Sequence, residues 1–503
     1  MYLRAGVFSL GLLLISRLLG LARESAQAAA FGTSGLGDVV IVMFTLPDLL
    51  VGVLVSGALS YVLLPAWAKQ SQSGYQVKLK RLTINLGVAA LFIGVVLWVF
   101  RGAVVQALAP GLRGEMRALS TQSIGWSAAV LPLAMVAALW ATRLQHARDF
   151  VGMYAGSVLV NMVLVAGLIA VGSAVWVDGA APRSAVATLG GCLVLAMLLR
   201  LLWLAWRLSK SASQLPTSAS FTPGALMPPA ATVWLWAVLA SSLALVLPLA
   251  ARSVVSQSGE GALASFNYAW KLIELPLLLA IQLVATIAFP AIAAAPADSP
   301  ERQRALAIAF ALAWTLACAA VAVVAVFSRP LADLLFGWGS MSPAAISVIA
   351  YWSAIGVWSL LPQALIAVLL TAMATTQRMR VAVFAYGAAV AALLAFGLAI
   401  PAQGEVVMWA VNLTLGAVAL SLLVTERRTV RGALPFGALA GPLAVCVLLV
   451  LLKPLWLGSS LSLATIVAVV FGALVLAVGV LCSPVLRKFA LQKSRRNGEA
   501  AST

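Results

Sequence analysis

The sequence predicts an all-α membrane protein of about 14 transmembrane helices in two six-helix halves and a further pair, with both termini cytoplasmic. Three observations carry this: composition, a regular supply of span-length apolar segments, and a lopsided placement of lysine and arginine. Of 503 residues, 63% are apolar and 9% charged, and mean hydropathy is +1.07. Soluble domains run nearer roughly 45–50% apolar and about 25% charged. Because the apolar character extends along the whole length, the chain reads as one bilayer-embedded domain and not as ~3 soluble ones.

A bilayer core about 30 Å thick takes about 20 apolar residues per helix. Cutting the chain at its charged and Pro/Gly-rich breaks yields segments near 6–30, 38–66, 82–109, 118–142, 151–173, 184–206, 230–251, 262–293, 305–328, 343–373, 381–400, 406–424, 433–452 and 463–485. An even count places both termini on one face. Of the 32 Lys and Arg, 21 fall at the termini or in connections on that face, seven fall in the opposite connections, and Arg17, Arg23, Arg200 and Lys271 lie within spans. By the positive-inside rule the richer face is cytoplasmic. The net charge of +18 is then a topological signal, and no nucleic-acid partner is expected. Arg17 and Arg23 inside the first segment also argue against a cleavable signal peptide.

Domain organisation follows from the longest polar break. Lys210 to Pro229 is rich in Ser, Pro and Thr, which suits a cytoplasmic linker, residues 210–229, between an N-terminal six-helix lobe, 1–209, and a second, 230–428. An internal match supports the halving: GTSGLGDVVIVMFTLP (Gly32 to Pro47) and GALASFNYAWKLIELP (Gly261 to Pro276) both run from a Gly to a Leu-Pro over 16 residues. Parallel-repeat transporters align their halves in this way. Residues 487–503 form a basic cytoplasmic tail.

Ionisable groups inside spans each cost about 2.5–3.5 kcal/mol at the bilayer centre, so each needs a reason. Segment one carries Arg17, Arg23 and Glu24, segment two Asp48, and segment eight Lys271 and Glu274. Arg17 and Arg23, six residues apart, stand about 120° from each other and about 9 Å apart along a helix, so both can flank one cavity. Arg23 can instead pair with Glu24 or Asp38, and Lys271 and Glu274, at i and i+3, can form an intrahelical pair. Asp48, after Pro47, suits a helix N-terminus or a partner for one of the cations. As a set, three cations against two or three acids describe a wet cavity for an anion. Phosphates suit arginine through bidentate hydrogen bonds. Prolines 47, 65, 132, 248, 276, 290, 362 and 442, within or at the ends of spans, allow bends where a cavity resolvates the freed backbone.

Enzyme signatures are missing: there is no GxxxxGK[ST], HExxH or GxSxG, and the one histidine, His146, sits in a polar turn. Four isolated cysteines suggest neither a zinc site nor a disulfide framework. No metal and no cofactor are expected. Two other classes stay open. A membrane glycan polymerase or ligase would need an outer carboxylate such as Glu115, Asp178 or Glu405, and a small-molecule antiporter would need an essential buried acid, Asp48 or Glu274.

The stretches SRLLGLARESAQAAAFG (Ser16 to Gly32), LPDLL (Leu46 to Leu50), SGALSYVLLP (Ser56 to Pro65), LAPG (Leu108 to Gly111), YAWKLIELP (Tyr268 to Pro276) and RPLADLLFGWG (Arg329 to Gly339) together resemble the MviN/MurJ family of lipid II flippases. The resemblance runs in order over most of the chain. It implies the fold of the multidrug/oligosaccharidyl-lipid/polysaccharide exporter superfamily: two six-helix lobes around a cationic cavity, with two extra C-terminal helices, here 429–486, forming a groove for a lipid tail. The family's cavity arginines on the first helix match Arg17 and Arg23. On the eighth helix the family usually has Asp-Arg and then Glu three residues after the Arg, where this chain has Trp270, Lys271 and Glu274. After Leu-Pro-x-Leu-Leu, family members typically carry an arginine pair and then a Glu, where this chain has Val51, Gly52 and Ser56.

What the resemblance implies is a flippase that moves the undecaprenyl diphosphate-linked peptidoglycan precursor lipid II by alternating access across a bacterial inner membrane. Arg17, Arg23 and Lys271 would meet the diphosphate, and Glu24, Asp48 and Glu274 would be cavity acids or ion-pair partners. The partners implied are a lipid-linked glycan and membrane lipid, and the protein is expected to be a monomer. The departures leave open a flippase for another polyprenyl diphosphate-linked oligosaccharide, of exopolysaccharide or O-antigen type.

Overall fold

A segment whose backbone amides leave water and meet lipid has the α-helix as its local solution, because each N–H and C=O is then satisfied within the segment. The computed structural model is helical throughout, with no strand among the described residues. It describes residues 2–53, 59, 63, 67, 72–147, 149–177, 179, 181–212, 231–296, 299–375, 378–400, 403–434, 436–452 and 461–488. Most of the linker, most of the basic tail, Ser56, Pro65 and Asp178 lie outside them.

The first eight helices are α1 (Tyr2–Phe31), α2 (Gly35–Val53), α3 (Gln72–Val99), α4 (Arg101–Leu108), α5 (Gly114–His146), α6 (Phe150–Val177), α7 (Pro182–Ala212) and α8 (Ala231–Val255). They are followed by α9 (Ala262–Ala294), α10 (Pro300–Phe336), α11 (Pro343–Gly356), α12 (Leu360–Thr375) and α13 (Met379–Ala399). The series ends with α14 (Gly404–Thr425), a short α15 (Arg427–Val430), α16 (Phe436–Leu451) and α17 (Leu461–Cys482). Ten helical stretches among the described residues are long and apolar enough to cross a membrane. The outward faces fit that reading: Val88, Leu91, Phe92 and Trp98 on α3, Leu413 and Leu420 on α14, and Val469 on α17 are exposed apolar side chains. A surface of this kind is stable against lipid and not against water.

Contacts divide the chain into two compact units, residues 1–264 with 338–342, and residues 265–337 with 343–503. In the first, α6 packs between α1 and α7, α5 packs against α2, α3 and α7, and α8 packs against α2 and α4. The core here joins Val39, Val40 and Met43 of α2 to Val130 of α5, Leu164 of α6 and Leu193 of α7. By chain order α8 opens the second half, and by contact it groups with the first unit. In the second unit the 37-residue α10 is the central element, contacted by α11, α12, α16 and α17.

Prolines inside helices cost the backbone ladder a donor, and at Pro47 a neighbour replaces it. Pro47 has no N–H for the Met43 carbonyl, and Ser127 Oγ of α5 donates to that oxygen at 2.6 Å. Between α11 and α12 a 3₁₀ turn, Val357–Ser359, precedes Pro362, and Asn412 Nδ2 of α14 donates to the Ile355 carbonyl at 2.8 Å. In α10, Phe327 leaves helical geometry three residues before Pro330. Pro132, Pro248 and Pro442 lie inside continuous helices.

Candidate functional site

The turn between α1 and α2 sets the first cluster. Gly32, at φ +56°, ends α1 in the left-handed region, and Ser34 Oγ accepts from Gly37 N to open α2. The two helices then run side by side, and Arg23 on α1 meets the face of α2 that carries Phe44 and Asp48, one turn apart. Arg23 Nη2 donates to Asp48 Oδ2 at 2.8 Å and Nη1 to Asp48 Oδ1 at 3.4 Å, while Nη2 also donates to Glu24 Oε1 at 3.0 Å. The guanidinium lies 5.4 Å from the Phe44 ring centroid, a cation–π contact. Its Nε is sealed from solvent with no hydrogen-bond partner among the described residues. The side chains of Arg23 and Glu24 are 11% and 8% exposed, and that of Asp48 is 53% exposed.

Asp38 does not pair with Arg23, which corrects one of the two partners the sequence offered. It is turned to the start of α9, where Oδ2 accepts from Gly261 N at 2.8 Å and Oδ1 from Ala264 N at 2.7 Å. In return Glu260, just before α9, accepts from Gly35 N, the first residue of α2, at 2.9 Å. Asp38 of the first repeat and Glu260, the residue just before the second, thus each lend a carboxylate to the helix N-terminus of the other repeat, where orphan N–H groups and the helix dipole favour negative charge. Gly261, at φ +77° and pressed against the Thr33 carbonyl, has no room for a side chain.

Arg17 stands apart from this cluster. It is exposed, acts electrostatically on Tyr154 of α6, and forms no hydrogen bond or ion pair among the described residues. In the second unit, Lys271 Nζ donates to Glu274 Oε2 at 2.9 Å across one turn of α9, with both side chains partly exposed. The structure therefore joins Arg23, Glu24 and Asp48, joins Lys271 with Glu274, and leaves Arg17 as an open cation.

One intramembrane cation was counted in the sequence and given no role. Arg200 on α7 is 5% exposed, its Nε has no partner, and no carboxylate pairs with it among the described residues. Its Cγ rests where a side chain at Gly156 of α6 would begin, 3.4 Å away. The signal for it was present: one turn to either side of Arg200 lie only Ala196, Met197, Trp203 and Leu204. His146, read as a solvated turn residue, ends α5 with Nδ1 3.3 Å from Arg143 Nη1 and its ring edge-on to Trp67. Among the described residues no cluster of His, Cys, Asp or Glu has the make-up of a metal site.

Comparison with known proteins places these residues in a family setting. The profile described as lipid II flippase MurJ matches residues 27–482. A lipid II flippase MurJ from Burkholderia cenocepacia is 27% identical over 360 residues, 68% of this chain and 67% of that protein. A probable lipid II flippase MurJ from Rhizobium meliloti is 26% identical over 360 residues, 69% of this chain and 65% of that protein. The chain thus spans about two thirds of the length of these curated relatives. Among solved structures, a lipid II flippase MurJ in an inward closed conformation superposes with a TM-score of 0.77 at 15% identity, covering 96% of this chain and 100% of that one. An inward-facing multidrug resistance MATE family transporter of the MOP superfamily superposes with a TM-score of 0.63 at 15% identity, covering 83% of this chain and 95% of the other. At these identities the structural likeness speaks for the fold.

Proposed function

The chain belongs to the lipid II flippase MurJ family, and from that premise we propose that it translocates the undecaprenyl diphosphate-linked peptidoglycan precursor lipid II from the inner to the outer leaflet of a bacterial inner membrane. The observation that carries the reading is the family match over nearly the whole chain, joined to the few cations its spans retain. In this reading Arg17, Arg23 and Lys271 meet the diphosphate, with Arg17 the cation open to it without rearrangement. The lobes at 1–209 and 230–428 rock about the bound headgroup, while the helices of 429–486 accompany the lipid tail. About 14 spans with cytoplasmic termini put the charged cap of the protein on the side where the substrate is made. An inside-negative potential helps expel an anion by about 2.3 kcal/mol per charge per 100 mV. The step moves a molecule and breaks no covalent bond, and a monomer suffices for it.

The departures at Val51, Gly52 and Trp270, with Arg23 already engaged by two carboxylates, favour one second reading: a flippase for another polyprenyl diphosphate-linked oligosaccharide. Depleting the protein from its own host separates the two. Lipid II is expected to accumulate, and a copy carrying Arg17→Ala is expected to be made and membrane-inserted yet fail to relieve the accumulation. Build-up of a different lipid-linked glycan selects the second reading, and the absence of any lipid-linked build-up contradicts both.

A further inference from the structure

Arg23 is the cation that a phosphate would engage through two parallel bonds, and the fork it would use is taken. Asp48 lies across both terminal nitrogens, at 2.8 and 3.4 Å, in the geometry that guanidinium offers to carboxylate and phosphate alike. A phosphate oxygen pair and the Asp48 carboxylate cannot hold this fork together. Charge says the same: Arg23 with Glu24 and Asp48 sums to −1, and with Asp48 withdrawn it sums to zero.

The two acids are not equivalent. Glu24, 8% exposed, is fixed beside Arg23 by burial, whereas Asp48, 53% exposed, reaches the guanidinium from an open position. Returning Asp48 to water costs little desolvation, while exposing or stranding Glu24 costs far more. Asp48 also directly follows Pro47, where the α2 ladder already lacks one bond and Ser127 of α5 holds the freed carbonyl. A small tilt of α2 beyond this point withdraws Asp48 without breaking a helical hydrogen bond at Pro47.

We propose that Asp48 is the resident counter-anion of Arg23, exchanged for a phosphate of the substrate on loading and restored to Arg23 on release. Resting on the diphosphate reading above, this makes Asp48 a specificity-determining residue: an anion must outcompete a built-in carboxylate, which favours a multiply charged diphosphate over singly charged anions and lets the product leave as Asp48 returns.

The test is binding of farnesyl diphosphate, a short polyprenyl diphosphate, and of inorganic pyrophosphate to the purified full-length protein at fixed ionic strength, measured calorimetrically. Asp48→Asn is expected to tighten farnesyl diphosphate binding about fivefold, Asp48→Glu to stay near wild type, and Arg23→Gln added to Asp48→Asn to remove the gain. Pyrophosphate showing the same ranking assigns recognition to the phosphates themselves, and a ranking confined to farnesyl diphosphate assigns it to the lipid-linked form; either supports the exchange. Wild-type binding that is lost in Arg17→Gln but unchanged or weakened in Asp48→Asn overturns the exchange while leaving the diphosphate site standing. Failure of every variant, folded by thermal melt, to bind either probe overturns both.

Discussion

Arg200 poses the sharpest energetic question at the scale of single residues. A guanidinium keeps its proton at any accessible pH, and inside a span an unpaired charge is among the costliest groups a helix can carry. Arg23 and Lys271 meet that cost with carboxylates, Arg17 with exposure, and Arg200 with neither. Arg200→Met keeps the length of the side chain and the contact with Gly156 while removing the charge, so it is expected to raise Tm in detergent, by on the order of 1–3 kcal/mol of stability. A fall in Tm would contradict the view that this charge is uncompensated. Legibility at this scale tracked distance along the chain. The Lys271–Glu274 pair is legible in the sequence as an alternative to a cavity cation because i and i+3 share a helix face. The Arg23–Asp48 contact, 25 residues apart across the α1–α2 turn, needed the relative rotation of two helices, which periodicity does not supply.

Elements were legible where burial is decided by lipid. The segments at 118–142 and 406–424 are α5, Gly114–His146, and α14, Gly404–Thr425, whereas 82–109 divides into α3 and α4, and 343–373 into α11 and α12. Breaks were less so: the prolines mark candidates, yet Pro47 is where a neighbour's side chain, Ser127, takes over the freed carbonyl, while Asn412 holds the Ile355 carbonyl ahead of the 3₁₀ turn. The N-termini of α2 and α9 show a link that no local pattern carries, because Asp38 and its amide partners are more than 220 residues apart. Asp38 accepts two backbone N–H bonds in a buried setting, and charged hydrogen bonds of this kind contribute about 1.5–3 kcal/mol each. Asp38→Ala is accordingly expected to lower stability by about 2–4 kcal/mol, read as a drop in the thermal melt. A loss below about 0.5 kcal/mol would show that the cap is dispensable.

For the molecule as a whole, charge scarcity is the organising fact. With 9% charged residues, the ionisable groups inside the described spans are few: Arg23 and Lys271 are neutralised locally, Asp38 caps a helix terminus, Arg17 is open, and Arg200 is buried without a carboxylate. The sequence showed which groups these are, and the structure sorted them. On the proposed reading, the open one, Arg17, and the engaged one with an exposed counter-ion, Arg23, form a loading site that exchanges one anion for another. The most direct test of the central claim is reconstitution of the purified protein into vesicles carrying labelled lipid II on one leaflet, followed by a membrane-impermeant reagent that modifies only headgroups reaching the other. Wild type is expected to deliver lipid II to the far leaflet and Arg17→Ala to leave it in place. Equal delivery by the two proteins, or none by wild type in vesicles where it is folded, would contradict the account.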